Sequence, residues 1–277
     1  MLKPRLVPFL AAALLLAAPV AAETGKPARI VSLNLCADEL LLRLADRGRV
    51  ASVTWLARDP RGSNVADLAR GVPVNRGLAE EIVPLRPDLV IVGAFTTRTT
   101  TALLRRLGIP VLELGAPESL DAAYAQIREV AARIGEPERG EDMVRGMQAA
   151  FAGLPPAPRH RPTAIVLRPN GFTAGRGSLA DEILARAGLD NLAARLTPDR
   201  MGQLTLEEIV TAQPDLLVIN ASSDGPPSLA DELLHHPALA GRAGHSVALP
   251  TRLWACAGPE LAEAGRRLAA ARQAVAQ

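Results

Sequence analysis

Residues 79–92 read AEEIVPLRPDLVIV, and residues 206–219 repeat the motif as LEEIVTAQPDLLVI. Seven of the fourteen positions are identical, and the last three are apolar in both copies. Each copy predicts a short acidic helix, a proline that stops it, and a buried strand. The offset of 127 residues is too long for a solenoid repeat. The repeat therefore predicts two similar lobes, and two such lobes usually enclose a cleft.

Short apolar strands alternate with helical segments along the chain, which is typical of α/β units with parallel strands. The predicted strands are Arg29–Leu33, Val50–Thr54, Leu89–Val92, Val111–Leu114, Thr163–Leu167, Leu216–Ile219 and Ser246–Leu249. The predicted helices of these units are Ala37–Ala45, Thr99–Leu107, Leu179–Ala187 and Leu261–Ala274. The pattern predicts an α/β fold with two Rossmann-like lobes, each built on a parallel-rich sheet.

The middle of the chain departs from this alternation and predicts two consecutive helices. Ser119–Ile134 has the pattern of one amphipathic helix, and Glu138–Leu154 has that of a second. Pro137, between them, suits a first helical turn. We therefore expect a single long connecting helix between the lobes. The predicted boundaries are an N-terminal lobe at 23–136, a connecting helix and linker at 137–158, and a C-terminal lobe at 159–277.

Residues 1–22 are typical of a secretory signal peptide. Lys3 and Arg5 give a positive start, Leu6–Ala18 is a mostly apolar core, and Val20–Ala22 offers small residues for cleavage. The apolar core is shorter than the ~20 residues that cross a bilayer. Because the segment carries two cations and no acid, its removal takes the net charge from +2 to zero. This balance gives no basic surplus for nucleic acid or anionic lipid.

Large aromatic rings are scarce, and most of those in the secreted part follow predicted strands. Ligands of parallel α/β sheets bind beyond the carboxyl ends of the strands, so these rings could line a pocket; packing under loops is the alternative. The rings concerned are Trp55, Phe95, Phe172 and Trp254. Arginines share these loops and suit carboxylates, phosphates and other polar oxygens, with solvated surface as the alternative. They are Arg58, Arg98, Arg168 and Arg252.

Two cysteines, Cys36 and Cys256, fall in the predicted cleft loops. In an oxidising compartment such a pair could form a disulfide. Their separation in sequence does not set their distance in space. Contact with a ligand or with a soft metal therefore stays open as an alternative.

The order and spacing of several weak motifs carry a family resemblance. They are Arg29-Ile-Val-Ser-Leu, the Glu80 segment before Pro87-Asp-Leu-Val-Ile, the central helix, Leu204-Thr-Leu-Glu-Glu-Ile with Pro214-Asp-Leu, and Trp254 with Gly258-Pro259. With these features the chain resembles the periplasmic substrate-binding proteins of ABC importers for ferric siderophores and cobalamin. The resemblance implies two α/β lobes bridged by one long helix, a ligand held between them, a periplasmic location and no catalysed reaction.

The resemblance also implies roles for individual residues. Glu80 and Glu207, one on each lobe, would dock onto arginines of the permease dimer. The alternative is that these glutamates simply favour a helix N-terminus, an explanation that applies equally to Glu81 and Glu208. The four loop rings would enclose a ferric siderophore or a corrinoid, and Arg58, Arg98 and Arg168 would meet its polar periphery. Haem is disfavoured because Tyr124 falls inside a helix and no histidine follows a predicted cleft strand.

The expected partners are thus a small-molecule metal chelate and an ABC permease dimer in the inner membrane. We expect a monomer with no cofactor, no metal ligated by the protein and no nucleic acid. The main rival is a secreted α/β enzyme that uses the same cleft, which would need a nucleophile–base pair near the strand ends. Ser32, Ser222 and Ser223 are its candidate nucleophiles. A receptor for a different metal complex is the third possibility.

Overall fold

The computed structural model describes residues 25–95, 97–219, 229–240 and 245–275. The predicted signal peptide at 1–22 and two candidate nucleophiles, Ser222 and Ser223, lie outside these ranges. Within them, every helix is either too short or too polar to cross a membrane.

The described residues form two parallel sheets and one small antiparallel ribbon. The strands are β1 (Ile30–Ser32), β2 (Val50–Thr54), β3 (Val74–Asn75), β4 (Leu89–Gly93), β5 (Val111–Leu114), β6 (Thr163–Leu167), β7 (Phe172–Ala174), β8 (Asp190–Asn191), β9 (Met201–Gln203), β10 (Leu216–Ile219) and β11 (His245–Ala248). The N-terminal sheet has the order β3-β2-β1-β4-β5, and the C-terminal sheet has the order β11-β10-β6-β8. β7 pairs antiparallel with β9. The predicted fold class, two α/β lobes with parallel sheets, is confirmed.

Ten helices accompany these strands in the described residues. They are α1 (Leu35–Leu44), α2 (Ala79–Ile82), α3 (Arg98–Arg106), α4 (Leu120–Arg133), α5 (Pro137–Ala152), α6 (Leu179–Arg186), α7 (Ala193–Leu196), α8 (Leu206–Ala212), α9 (Pro237–Ala240) and α10 (Glu260–Val275). α5 connects the two lobes. It packs on α4 so closely that a Cβ at Gly140 would overlap Ala131, and its far end places Phe151 against Gly265 of α10.

The repeated motif buries its strand on both faces, as expected for parallel sheets covered by helices. In β4, Leu89 and Ile91 face a core that runs through both lobes. Val90 and Val92 face a second cluster, which includes side chains of α2 and α3. β10 alternates in the same way between the shared core and a cluster of its own lobe.

The Pro-Asp pair of each repeat sets the register of the neighbouring strand. The residues before the two prolines, Arg86 and Gln213, turn the chain through left-handed conformations with φ of 47° and 46°. The Asp88 carboxylate then accepts a 2.9 Å hydrogen bond from the N–H of Arg29, at the start of β1. Asp215 accepts a 2.7 Å bond from the N–H of Thr163, which begins β6. The repeat thus aligns the carboxyl ends of the central strands in both lobes.

Candidate ligand cleft and docking surface

Two exposed rings mark the N-terminal side of the candidate cleft. β2 and β4 flank β1, and Trp55 and Phe95 follow their carboxyl ends. Adjacent strands lie ~4.8 Å apart, so these strand ends are about 10 Å apart. The side chains of Trp55 and Phe95 are 52% and 81% exposed. Both rings are therefore accessible, and their contact with a ligand stays a prediction.

Phe172 and Arg168 occupy the corresponding place in the C-terminal lobe. Phe172 is 44% exposed at the start of β7, and its carbonyl accepts a 2.8 Å hydrogen bond from the N–H of Arg168. The Nε atom of Arg168 is buried and has no hydrogen-bond partner. Burial also lowers the pKa of the Arg168 guanidinium. An unpaired buried donor destabilises the fold, and because Nε is closed to solvent, a ligand oxygen could bond to it only after neighbouring atoms move.

Arg58 and Arg98, the other two arginines expected at the ligand's periphery, differ in how far their side chains are already hydrogen-bonded. Arg58 donates a hydrogen bond through Nη2 to the carbonyl of Val72 at 2.5 Å, which stabilises the loop after β2. Arg98 is exposed at the first position of α3, and no described group pairs with its side chain. Arg98 is therefore the freer of the two for a ligand.

Trp254 does not present its ring to the cleft, which corrects the prediction for this residue. Its side chain is only 5% exposed and lies in the core shared by the two lobes. The short helical turn Thr251–Leu253 follows β11 and carries the chain inward at this point. Burial of so large an apolar surface stabilises the fold. Trp254 thus belongs to the packing under the loop, which was the alternative for all four rings.

The two cysteines are bonded to each other in the structure. Cys36 lies in the first turn of α1, and Cys256 lies in the loop before α10, with 5.1 Å between their Cα atoms. The disulfide therefore joins the carboxyl edge of the N-terminal sheet to the C-terminal lobe. This contact also removes both thiols from the candidate ligands for a soft metal.

Polar contacts support the disulfide across the same interface. Arg43 of α1 pairs with Glu260 of α10 at 2.6 Å, and Asn64 donates to the carbonyl of Arg252 at 2.6 Å. Glu39, which is fully buried, accepts a 2.9 Å bond from the N–H of Asn64. Burial raises the pKa of Glu260, and the charge of Arg43 opposes that rise. The lobes are therefore held together by a covalent bond and a buried polar network.

The two adjacent glutamates of each repeat, Glu80-Glu81 and Glu207-Glu208, differ in their hydrogen bonding. The Glu81 carboxylate accepts a 2.6 Å hydrogen bond from a backbone N–H of the preceding loop, and Glu208 accepts a 2.8 Å bond from the N–H of Thr205. These two residues cap their helices. Glu80 and Glu207 are exposed, and no described group pairs with either carboxylate. The helix-start explanation therefore accounts for Glu81 and Glu208 and leaves Glu80 and Glu207 unexplained.

Two residues named as alternatives are buried in the fold. Ser32 has no exposed surface, and its Oγ donates to the carbonyl of Asn34 at 3.0 Å. Tyr124 lies in the core side of α4. Neither side chain reaches the cleft as a nucleophile or as an iron ligand.

Known proteins share both the sequence pattern and this architecture. Residues 30–253 match the family model described as periplasmic binding protein. A cobalamin-binding protein of Halobacterium salinarum is 28% identical over 206 residues, which cover 72% of this chain and 56% of that relative. The chain therefore corresponds to little more than half the length of the curated relative.

Solved structures resemble the chain over nearly its full length. The periplasmic heme-binding protein RhuT from Roseiflexus sp. RS-1, in apo form, is 29% identical with a TM-score of 0.73, covering 90% of this chain and 99% of RhuT. The periplasmic vitamin B12 binding protein BtuF of Vibrio cholerae is 16% identical and shares the fold, with a TM-score of 0.66 over 91% of this chain and 99% of BtuF. The chain belongs to the periplasmic binding protein family.

Proposed function

We propose that this chain is the receptor of an ABC importer, capturing a bulky metal chelate between its lobes for the membrane permease. The observation that carries the proposal is the set of exposed rings at strand ends of both lobes: Trp55, Phe95 and Phe172. Aromatic rings are common in ligand sites, and they stack well on flat or macrocyclic ligands. Membership of the family, whose known members act outside the cytoplasm, supports the same reading.

The chelate that we propose is a corrinoid or a ferric siderophore. The cobalamin-binding relative from Halobacterium supports the corrinoid. Arg168, which is only partly buried as a whole, and Arg98, with no partner among the described residues, would meet polar oxygens at the ligand's periphery. Haem belongs in any test panel because RhuT is a heme-binding protein, although Tyr124 of this chain is buried in α4.

We further propose that Glu80 and Glu207 dock the receptor onto the permease. The two residues hold the same position in the two repeats, so they form a pair of anionic points related by pseudo-symmetry. A pair of that kind suits a cationic partner with twofold symmetry and fixes its orientation. Both carboxylates are exposed and uncommitted, whereas their neighbours Glu81 and Glu208 are used within the fold.

The test combines charge reversal with separate assays of binding and uptake. Glu80→Lys with Glu207→Lys should leave chelate affinity within about twofold of the parent, because neither residue is among the proposed ligand contacts, and should abolish permease-dependent uptake. Glu129→Lys with Glu138→Lys is the matched control, since both of these acids are exposed on α4 and α5. Uptake that survives the first double reversal would overturn the docking proposal. If the parent protein binds no chelate, the proposed receptor function is wrong.

A further inference from the structure

The proposed ligand rings and the proposed docking glutamates are linked by direct contacts in both lobes. The residue three positions before the docking glutamate is Gly77 in the first repeat and Leu204 in the second. In each lobe this residue contacts the segment that carries an exposed ring, which is Phe95 in one lobe and Phe172 in the other. The same position of the repeat thus joins the ligand side of the lobe to its docking side.

In the N-terminal lobe the link is a close contact between Gly77 and Thr97, which lies two positions after Phe95. A Cβ atom at Gly77 would lie 2.6 Å from Cγ2 of Thr97, which is closer than side chains tolerate. Gly77 also has a φ of 79°, a conformation that favours glycine. Thr100 adds a 2.8 Å hydrogen bond from its Oγ1 to the Gly77 carbonyl. Because Gly77 directly precedes the N-cap residue of α2, a movement of Thr97 would be passed to the start of that helix.

Thr97 itself is held in a strained conformation. Its backbone is left-handed, with φ of 48° and ψ of 41°, which is uncommon for a β-branched residue. Its Oγ1 is buried without a hydrogen-bond partner among the described residues, which also destabilises this arrangement. Strain of this kind persists only where the surrounding structure imposes it. A ligand that holds Phe95 can therefore change the conformation of Thr97.

In the C-terminal lobe the link is made by Leu204 and Gly171, which directly precedes Phe172. The N–H of Leu204 donates a 2.9 Å hydrogen bond to the carbonyl of Gly171, and a Cβ atom at Gly171 would overlap the carbonyl oxygen of Leu204. Gln203 lies opposite Phe172 in the β7–β9 ribbon, and its side-chain amide donates to the carbonyl of Asn170 at 2.7 Å. The segment that carries Phe172 is therefore fixed to the residues that lead into α8.

The docking helices are short, so contacts at their starts determine how they are held. α2 has four residues and α8 has seven, and helices of this length owe their stability to tertiary packing. Glu80 and Glu207 are each the second residue of their helix. The direction of each carboxylate therefore depends on the position of Gly77 or Leu204.

We propose that Gly77 and Leu204 are positioning residues that couple chelate capture to permease docking. A chelate seated on Phe95 and Phe172 would hold both ring segments and thereby set the directions of the two docking glutamates. Because the disulfide ties the lobes together, such a local change would report the loaded state in place of lobe closure. The inference rests on the proposed receptor function. Since coupling between two binding sites is reciprocal, the loaded and empty receptors should differ at least about fivefold in permease affinity.

NMR titration of residues 23–277 with diamagnetic chelates tests the coupling. The probes are cyanocobalamin, gallium protoporphyrin and a gallium hydroxamate. A chelate that binds should shift the amide signals of residues 78–81 and 205–208, although neither segment is among the proposed ligand contacts. Shifts confined to the ring segments would overturn the proposal.

Thr97→Gly is the variant that separates coupling from binding. Glycine adopts the left-handed conformation freely and removes the methyl group that touches Gly77. Thr97 makes no side-chain capping bond, so the start of α3 should be kept. The chelate-induced shifts should disappear at residues 78–81 and persist at 205–208, and the difference in permease affinity should shrink. Thr99→Ala, at an exposed position of α3, should respond like the parent. Shifts at 78–81 that Thr97→Gly leaves intact would contradict the role of Gly77.

Hydrogen exchange of the ligand-free protein distinguishes a failed receptor from a failed contact. If none of the three chelates binds, the receptor function is wrong. The contact still predicts that Thr97→Gly speeds exchange of the Glu81 N–H, which bonds to the Leu78 carbonyl at 3.0 Å. The Glu208 N–H, which bonds to Thr205 at 3.2 Å in the other lobe, should exchange as in the parent. An unchanged exchange rate at Glu81 would show that Thr97 does not position α2.

Discussion

Cys36 and Cys256 are bonded across the two lobes, 220 residues apart along the chain. The bond ties the start of α1 to the loop before α10, and the Arg43–Glu260 ion pair joins the same two helices. The disulfide therefore prevents the lobes from separating at its position. Any opening of the cleft has to be a rotation about the disulfide. Because α5 and the disulfide both join the lobes, the protein should be stiff, which suits the preformed ligand site that we propose.

Removal of the disulfide should lower stability substantially. Cys36→Ser with Cys256→Ser should reduce the free energy of unfolding by about 2–5 kcal/mol, because a cross-link that closes so long a loop restricts the unfolded chain. Urea denaturation measures the loss. Reductant should lower the free energy of unfolding of the parent to that of the double variant, and it should leave the free energy of unfolding of the double variant unchanged. A parent whose stability does not respond to reductant would contradict the structural role of the bond.

The two glutamates of each repeat should differ in their effect on folding. Glu81→Ala and Glu208→Ala each remove a carboxylate that accepts a backbone N–H, and each should cost about 0.5–2 kcal/mol of stability. Glu80→Ala and Glu207→Ala, one position away, should stay within about 0.5 kcal/mol of the parent. Urea denaturation of the four single variants makes the comparison. Equal losses in both pairs would mean that Glu80 and Glu207 are structural residues.

The buried carboxyl group of Asp38 should make stability depend on pH. Burial raises the pKa of Asp38 to about 6, although Thr54 donates a backbone N–H to it at 3.1 Å. Because the pKa is higher in the folded state, the contribution of Asp38 to stability is present in full below about pH 4 and is lost as the pH rises through 6. Asp38→Asn, which removes the charge, should therefore stabilise the protein at pH 7 by an amount on the order of 1–3 kcal/mol.

Thermal unfolding of the parent and Asp38→Asn between pH 4 and pH 7.5 checks this expectation. The difference between the two proteins should be largest at neutral pH and should shrink toward pH 4, where the parent is protonated as well. A difference that stays constant over this range would show that the Asp38 carboxyl group does not titrate there.

The longer elements of the fold could be predicted from the sequence because their signals are local. The seven predicted strands and the two central helices all appear, and their ends differ from the predicted ones by at most two residues. The short strands β3, β7, β8 and β9 carry no periodicity of their own, since they have two or three residues each. β3 is held by its tertiary contacts: the Asn75 amide donates to the carbonyl of Ser32 at 3.0 Å and to Ser52 at 2.8 Å.

The position of the site could be predicted from the sequence, whereas the exposure and hydrogen bonding of most of its side chains could not. Position after a strand end identified Trp55 and Trp254 alike, but only packing decides that the first is exposed and the second buried. Thr205 and Glu208 have the spacing of a capping box, so the capping role of Glu208 could be read from the sequence, whereas Leu78 at the N-cap of α2 gives no such signal for Glu81.

The most direct test of the receptor is calorimetric titration of residues 23–277 with cyanocobalamin, haemin and a ferric hydroxamate. We predict saturable one-to-one binding of at least one of them. Trp55→Ala with Phe95→Ala should weaken that binding at least about tenfold, because both exposed rings lose their stacking area. Leu68→Ala with Leu107→Ala, on exposed apolar residues elsewhere, should bind like the parent. If none of the three chelates binds, or if the ring variant binds as tightly as the parent, chelate capture at these strand ends is contradicted.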